Sequence, residues 1–220
     1  MKILSLSDIV LDTVYSPTLR YRYGDVDMIL GCGDMPYYYL EFVVDALNKP
    51  AFFVRGNHAN VVEYSHRGER TAPHGAFDLH RKVVNHQGLL MAGIEGGIRY
   101  RPGPFMYTQG EMWMHVFSLI PGMLTNFLRY QRFLDVFVSH SPSWKIQDRE
   151  DLPHQGIKAF RWLLMVFKPV LHLHGHIHLY RQDEPYFMNF GSTKIVNTYG
   201  ARSTTLLHSE IQRRKNWHVG

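Results

Sequence analysis

Short apolar runs recur along the chain, and each ends in a polar or glycine-containing cluster, which is the pattern of buried β-strands. We predict strands over these runs, at residues 2–7, 26–30, 51–54, 82–85, 89–94, 134–138 and 170–173. Three shorter β-rich runs follow near the end, at residues 186–190, 194–197 and 204–207. Residues 61–78 mix polar and apolar positions without a clear period, so a loop is predicted there.

Three segments between these runs have helical spacing of their apolar residues. Residues 36–48 begin with Pro36, which suits a first helical turn, and Pro50 ends the segment. Residues 108–130 and 155–167 are the other two, and we expect Pro121-Gly122 to interrupt the longer one. Strands that alternate with helices and end in a group of short strands indicate an α/β protein with more than one sheet. No linker is visible, so one domain is predicted over residues 1–220, with a basic tail from about residue 212.

Composition narrows the class of protein. The chain is 45% hydrophobic and 20% charged, which excludes a disordered or fibrous protein. A single cysteine cannot form an internal disulfide, and 14 histidines direct attention to metal or acid–base chemistry. Neither a signal peptide nor an apolar stretch of about 20 residues is present, so we expect a cytoplasmic protein without membrane contact. The net charge of +5 fits a basic surface or an anionic partner.

Polar residues follow five of the predicted strands directly. They are Asp8, Asp34, Asn57 with His58, His140, and His176 with His178. Because ligands bind beyond the carboxyl ends of strands in α/β sheets, these side chains are expected to converge on one site. Carboxylate, amide oxygen and imidazole suit Mn, Fe, Zn, Ni or Co, and the lack of thiolates argues against a structural zinc site.

In this order, the strand-end clusters resemble the signature of the calcineurin-like metallophosphoesterases. The matching blocks are Asp8, Gly33-Asp34, Gly56-Asn57-His58, Ser139-His140 and Gly175-His176-Ile177-His178. The resemblance implies a four-layer α/β/β/α sandwich, in which two mixed β-sheets are flanked by helices. It also implies two divalent or trivalent transition metals bridged by a carboxylate and a hydroxide that attacks phosphorus.

Carried over by position, the resemblance assigns a role to each strand-end residue. Asp34 would bridge the two metals. Asp8 and His178 would bind the first metal, and the second would be bound by Asn57, His140 and His176. His58 would lie near the scissile ester, as a general acid or as a donor to the phosphoryl oxygens.

Two positions depart from the family pattern. The family has Asp-x-His at the first block, whereas this chain has Val10, so the first metal site is expected to be weaker or differently selective. Asp12 is a weak candidate for the missing ligand. The acidic residue that usually follows Gly-Asn-His is Ala59 here, so His58 needs another partner.

Candidate substrate contacts are Tyr37, Arg99 and His154. Tyr37 begins the helix after Asp34 and could line the pocket or pack in the core. Arg99 lies in a Gly/Pro-rich loop, where it could fork onto a phosphate or remain solvated. Residues 105–127, rich in Met and Phe, are expected to form core or a partly exposed cap. The histidines without an assigned role, such as His66, His80 and His208, are expected at the surface.

The main hypothesis is a metal-dependent phosphoesterase that acts on phosphodiesters, including cyclic nucleotides, or on phosphomonoesters. The expected partner is a phosphate-ester small molecule or nucleotide. The rival is a binding or scaffold protein that keeps the fold but has weakened catalysis, which Val10 and Ala59 favour. A nuclease is a third hypothesis, motivated by the net charge alone.

Overall fold

The computed structural model describes residues 1–65, 68–181 and 183–213. Its strands are β1 (Lys2–Ser7), β2 (Met28–Cys32), β3 (Ala51–Val54), β4 (Glu63–Ser65), β5 (Gly68–Arg70), β6 (Ala76–Asp78), β7 (Lys82–His86), β8 (Leu89–Ile94), β9 (Gly97–Ile98), β10 (Met106–Tyr107), β11 (Val136–Ser139), β12 (Leu171–His174), β13 (Phe187–Phe190), β14 (Thr193–Asn197) and β15 (Gly200–Thr205). Its helices are α1 (Leu19–Tyr23), α2 (Tyr37–Leu47), α3 (Gln109–Tyr130), α4 (Lys158–Phe167) and α5 (His208–Arg213), with a 3₁₀ turn at Leu152–His154.

Two large mixed sheets form the body of the protein. The first has the order β15-β1-β2-β3-β6, parallel except for β15, and the second has the order β13-β14-β12-β11-β8-β7, parallel from β14 to β8. Two small pairs, β9 with β10 and β4 with β5, lie outside them. The parallel strands bring their carboxyl ends to a common edge of each sheet.

Alternating residues of each strand face different layers, which explains the four-layer order. In β1, Leu4 and Leu6 pack with residues of α1 and α2 on the outer face of the first sheet, whereas Ile3 belongs to the apolar cluster between the sheets. The second sheet packs its other face against α3 and α4, where Phe137 contacts Phe160. The layers are therefore helices, sheet, sheet and helices, which confirms the predicted α/β/β/α sandwich.

The sequence predicted most of this but not all of it. The strands at residues 2–7, 51–54 and 89–94 are confirmed to the residue, and the other predicted strands shift by a few residues. The predicted loop at 61–78 is wrong, because it contains the three short strands β4, β5 and β6. The predicted interruption at Pro121 is also wrong. Helix α3 runs continuously through it, because its buried face holds it on the sheet.

Among the described residues, no helix combines the length and the apolar character that crossing a bilayer requires. Of the sequence expectations, His66 and the basic tail beyond residue 213 lie outside the described residues.

Candidate metal centre

Four potential ligand atoms converge on one point between the carboxyl ends of the two sheets. The Nε2 atom of His140 lies 2.9 Å from Asn57 Oδ1, 3.1 Å from Asp34 Oδ2 and 3.1 Å from His176 Nδ1. His140 is fully buried, and Asn57 and His176 are nearly so. The structure thus brings together the three ligands expected for the second metal with the expected bridging carboxylate.

The tautomers of the two imidazoles follow from what holds their outer nitrogens. His140 Nδ1 donates to the backbone carbonyl of Cys32 at 2.9 Å, and His176 Nε2 donates to that of Pro153 at 2.7 Å. In the neutral rings, each facing nitrogen then carries a lone pair, and carbonyl-fixed tautomers of this kind are typical of metal-binding histidines.

An acceptor-only cluster fits a cation. Two imidazole lone pairs, a carboxylate oxygen and an amide oxygen repel one another unless a cation or a proton lies between them. These donor types suit transition metals. Asp34, His140 and His176 each offer a ligand atom within 4.8 Å of the others. The amide nitrogen of Asn57 has no hydrogen-bond partner among the described residues, consistent with an amide positioned for its oxygen.

Without a cation, a proton takes this position. Burial alone would keep His140 neutral, but the Asp34 carboxylate outweighs burial and raises the pKa of His140 to about 9. Burial works against the Asp34 charge in the same way, but the His140 cation outweighs it and lowers the pKa of Asp34 to about 2. Burial, together with the His140 charge, lowers the pKa of His176 to about 3, so His176 stays neutral.

The expected ligands of the first metal lie beside this cluster. Asp8 Oδ1 is 3.7 Å from His178 Nε2, and both Asp8 oxygens accept the backbone N–H of His176, at 2.9 and 3.1 Å. Burial raises the pKa of Asp8 against the pull of His140. His178 is more open, with its side chain 39% exposed and its Nδ1 3.0 Å from the Tyr180 hydroxyl.

The backbone at these ligands is unusual. Asp8, Asp34 and His176 have φ angles of 69°, 52° and 68°, in the left-handed region that non-glycine residues seldom occupy. Such conformations persist where the surrounding structure enforces them, and they cluster at functional sites. Glycine is required next to two of these residues. A Cβ at Gly56 would lie 2.0 Å from Asp34 Oδ1, and one at Gly175 would lie 2.7 Å from Asp8 Oδ2.

His58 lies at the exposed edge of the site. Its backbone N–H donates to Asp34 Oδ1 at 2.8 Å, which leaves the imidazole free to project outward. Its Nε2 is 3.5 Å from the hydroxyl of Tyr100. Tyr100 is therefore the neighbour of His58 in a chain that has Ala59 where an acidic residue is usual.

The position of the missing imidazole lies at the edge of the core. Val10 is partly buried and packs against the apolar cluster between the first sheet and helices α1 and α2. Asp12, the weak candidate for a replacement ligand, is exposed. The departure from the family pattern at position 10 thus coincides with apolar packing in the loop that follows β1.

The three candidate substrate residues occupy different surroundings. Tyr37 is buried, and its hydroxyl donates to the Asn60 carbonyl at 2.8 Å, so it mainly packs and holds a loop. Arg99 is engaged by the Met106 carbonyl and by Glu111. The His154 ring contacts the ligand cluster, with its centroid 5.3 Å from that of His176.

Sequence reasoning missed a polar network behind the site. Arg55 pairs with Asp78 and lies 3.5 Å from Glu95, which accepts from the Tyr107 hydroxyl at 2.8 Å. The Glu95 N–H donates to His80 Nδ1 at 3.1 Å. The surface placement of His80 is therefore wrong, and burial lowers the pKa of its imidazole to about 4. The sequence carried one signal for the network, the charged Arg55 directly before Gly56.

A buried cluster of carboxylate, amide and imidazole groups at the carboxyl ends of two packed sheets is typical of a metal-binding α/β protein. The chain belongs to the calcineurin-like phosphoesterase family, whose model matches residues 1–180. Membership supports a metal-dependent phosphoesterase in general and implies divalent metal cofactors.

Solved structures share the fold at low sequence identity. The protein TT1561 of Thermus thermophilus matches with a TM-score of 0.59 and 16% identity, covering 90% of this chain and 89% of its own. A second structure matches with a TM-score of 0.60 and 14% identity, covering 90% of both chains. At such identities the likeness concerns the fold alone. No curated protein sequence matches the chain.

Proposed function

We propose that this chain is a binuclear metal-dependent phosphoesterase. The observation that carries the proposal is the group of four acceptor atoms around His140 Nε2, which has the composition and the buried position of a metal site. The second cation would be held there by Asn57, His140 and His176. Asp8 and His178 would hold the first, with Asp34 between the two.

When bound, two cations acidify a water molecule and polarise the phosphoryl oxygens. The chain's own residues would orient the ester and protonate its leaving oxygen. Asp34 directs Oδ2 at the His140 cluster, while its Oδ1 holds the turn that carries His58. The exposed imidazole of His58 would donate a hydrogen bond to a phosphoryl oxygen or a proton to the leaving oxygen. His154, in contact with His176, would line the same opening.

Phosphodiesters, including cyclic nucleotides, are the first substrate class in this proposal, and phosphomonoesters are the second. Hydrolysis of either ester breaks a P–O bond and releases an alkoxide, which a nearby proton donor such as His58 would protonate to the alcohol. Mn, Fe, Zn, Ni and Co are the candidate metals, because the donor set combines imidazole with oxygen.

The test is a metal-supplemented assay of the folded protein on artificial mono- and diesters. We expect turnover with at least one of the candidate metals, and loss of metal and activity in Asn57→Ala. Asn60→Ala is the matched control, because Asn60 is exposed and only three residues away. Absence of turnover with every divalent metal, in protein shown to be folded, would reject the enzyme.

The scaffold alternative is favoured by two observations. Position 10 carries a valine that packs against apolar residues instead of an imidazole, and position 59 supplies no acid to His58. Metal analysis separates the two functions. About two cations per chain together with turnover support the enzyme, and no metal after gentle purification supports the scaffold.

A further inference from the structure

Helix α3 presents an apolar stripe to solvent on the face opposite the sheet. Its inner face is buried through Met112, Val116, Leu119 and Met123. Its outer face exposes Met114, Phe117, Pro121, Leu124 and Leu128, which we call the α3 stripe. Met114 is 66% exposed and Leu128 is 78% exposed, while Phe117 and Leu124 are each 49% exposed. A helix that is apolar on both faces indicates that the second face has a partner.

The spacing of the stripe is that of a helix–helix seam. Its residues follow one another at intervals of three, four, three and four positions. This is the 3.5-residue repeat with which one helix packs along another in a coiled coil. From Met114 to Leu128 the stripe is about 21 Å long, at a rise of about 1.5 Å per residue.

The exposed apolar area is that of the largest patch on a typical monomer, and it is modest for an interface. The stripe exposes about 500 Å², taking about 200 Å² as the whole surface of one large side chain. A typical monomer's largest apolar patch is about 300–600 Å² and is often functional. A standard interface buries about 800 Å² per partner, so the stripe with a polar rim supports a weak, reversible association.

We propose that the α3 stripe is a self-association surface, on which a second copy of this chain packs its own α3 antiparallel. The chain itself supplies a helix whose stripe has the required length and spacing. In antiparallel register, Met114 meets Leu128 of the partner subunit, Phe117 lies next to the partner's Leu124, and the two-fold axis passes near Pro121. Each apolar residue of the stripe thereby gains an apolar neighbour.

Charge favours this orientation over the parallel one. Between Met114 and Leu128 the helix has no Asp, Glu, Lys or Arg, so no like charges meet along the seam. Glu111 and Arg129 flank the stripe at opposite ends. Antiparallel pairing brings Glu111 towards the partner's Arg129, whereas parallel pairing would place like charges together. The antiparallel pair also opposes the two helix dipoles.

The composition of the helix argues against a lipid surface as the occupant. Helices that lie on membranes are rich in Lys and Arg on their polar face. Helix α3 has a single Arg, no Lys and one Glu in its 22 residues. A protein surface with the same heptad spacing is therefore the better match.

The first test measures the mass of the full chain in solution by sedimentation over a range of concentrations. We expect a monomer–dimer equilibrium, weakened about a hundredfold by Leu128→Glu, because a carboxylate in the seam leaves a buried unpaired charge. Tyr21→Glu is the matched control, since Tyr21 is an exposed apolar residue on α1, at 91% exposure. A monomer at every concentration, a dimer that Leu128→Glu leaves intact, or binding to anionic vesicles that depends on the stripe would overturn the proposal.

The second test determines the orientation by oxidative cross-linking. The native Cys32 is buried, so introduced cysteines can be read separately. Pro121→Cys, close to the two-fold axis, should form a covalent dimer, and Met114→Cys should cross-link to Leu128→Cys rather than to itself. Self-cross-linking of Met114→Cys alone, or no cross-link at Pro121→Cys, would reject the antiparallel pair. Neither test depends on metal or activity, so failure here is distinct from failure of the proposed phosphoesterase.

Discussion

Replacing Gly56 by alanine should dismantle the metal site from a position that is not itself a ligand. The added Cβ would lie 2.0 Å from Asp34 Oδ1, 2.4 Å from its Cγ and 2.5 Å from its backbone nitrogen. An ordinary contact is about 3.5 Å, so the carboxylate must move by about 1.5 Å. Because the backbone nitrogen is also too close, rotation of the Asp34 side chain cannot relieve the clash. Metal ligands tolerate displacements of only about 0.2 Å.

We expect Gly56→Ala to lose bound metal and to be less stable by about 1–3 kcal/mol, the usual cost of overpacking. Metal content after dialysis, measured by elemental analysis, and thermal unfolding followed by circular dichroism check both parts. Gly103→Ala is the control, because the nearest atoms to its Cβ would be those of Met106, at 3.6 Å. A folded Gly56→Ala protein with wild-type metal content would refute the geometry of the site.

Three further predictions concern single histidines. His58→Ala should retain metal and lose about 10²–10⁴-fold in rate if His58 is an acid, whereas Tyr100→Phe should lose less than about tenfold in rate. Steady-state kinetics measure both effects, and an unchanged rate in His58→Ala would contradict the role of His58. Because the pKa of His140 is about 9 without metal, cation binding at pH 7 should release one proton and be about 50-fold weaker than at pH 9. Calorimetry in buffers of different ionisation heat should detect this release. Because the folded-state pKa of His80 is depressed to about 4 from 6.5, only the unfolded chain binds the proton between these values. The free energy of unfolding should then fall by up to about 3 kcal/mol as pH drops from 6.5 to 4, and His80→Phe should not show this loss. Denaturant titrations at several pH values measure it, and the same pH dependence in both proteins would contradict the prediction.

The parts of the fold that could be predicted are those fixed by local pattern. Strands β1, β3 and β8 are apolar runs with clear ends, and their bounds were found to the residue. The short strands β4 to β6 were missed because each has only three residues, and those of β5 and β6 are exposed or partly buried, so that they leave no apolar period. Pro121 suggested a break in α3, but burial of one helix face overrides the loss of a single backbone donor.

The sequence predicted which residues come together at the site but not how they are held there. Strand-end order named the residues that the structure brings around His140, because parallel strands deliver their carboxyl ends to one edge. The carbonyls of Cys32 and Pro153, which fix the tautomers, carry no residue-type signal, since any residue has a carbonyl. The network of Arg55, Glu95 and His80 depends on contacts between segments far apart in the chain, and the local spacing of apolar residues does not reveal such contacts.

The loop after β1 has a consequence for any attempt to build a histidine at position 10. Val10 is partly buried against apolar side chains, the Leu11 N–H lies 3.4 Å from the Tyr39 hydroxyl, and Val14 is fully buried, so the loop is held against α2. A histidine at position 10 would set a polar ring against those apolar neighbours. The loop after β1 therefore joins two properties, the stability of the packing on α2 and the number of imidazoles near Asp8, and a change at position 10 acts on both at once.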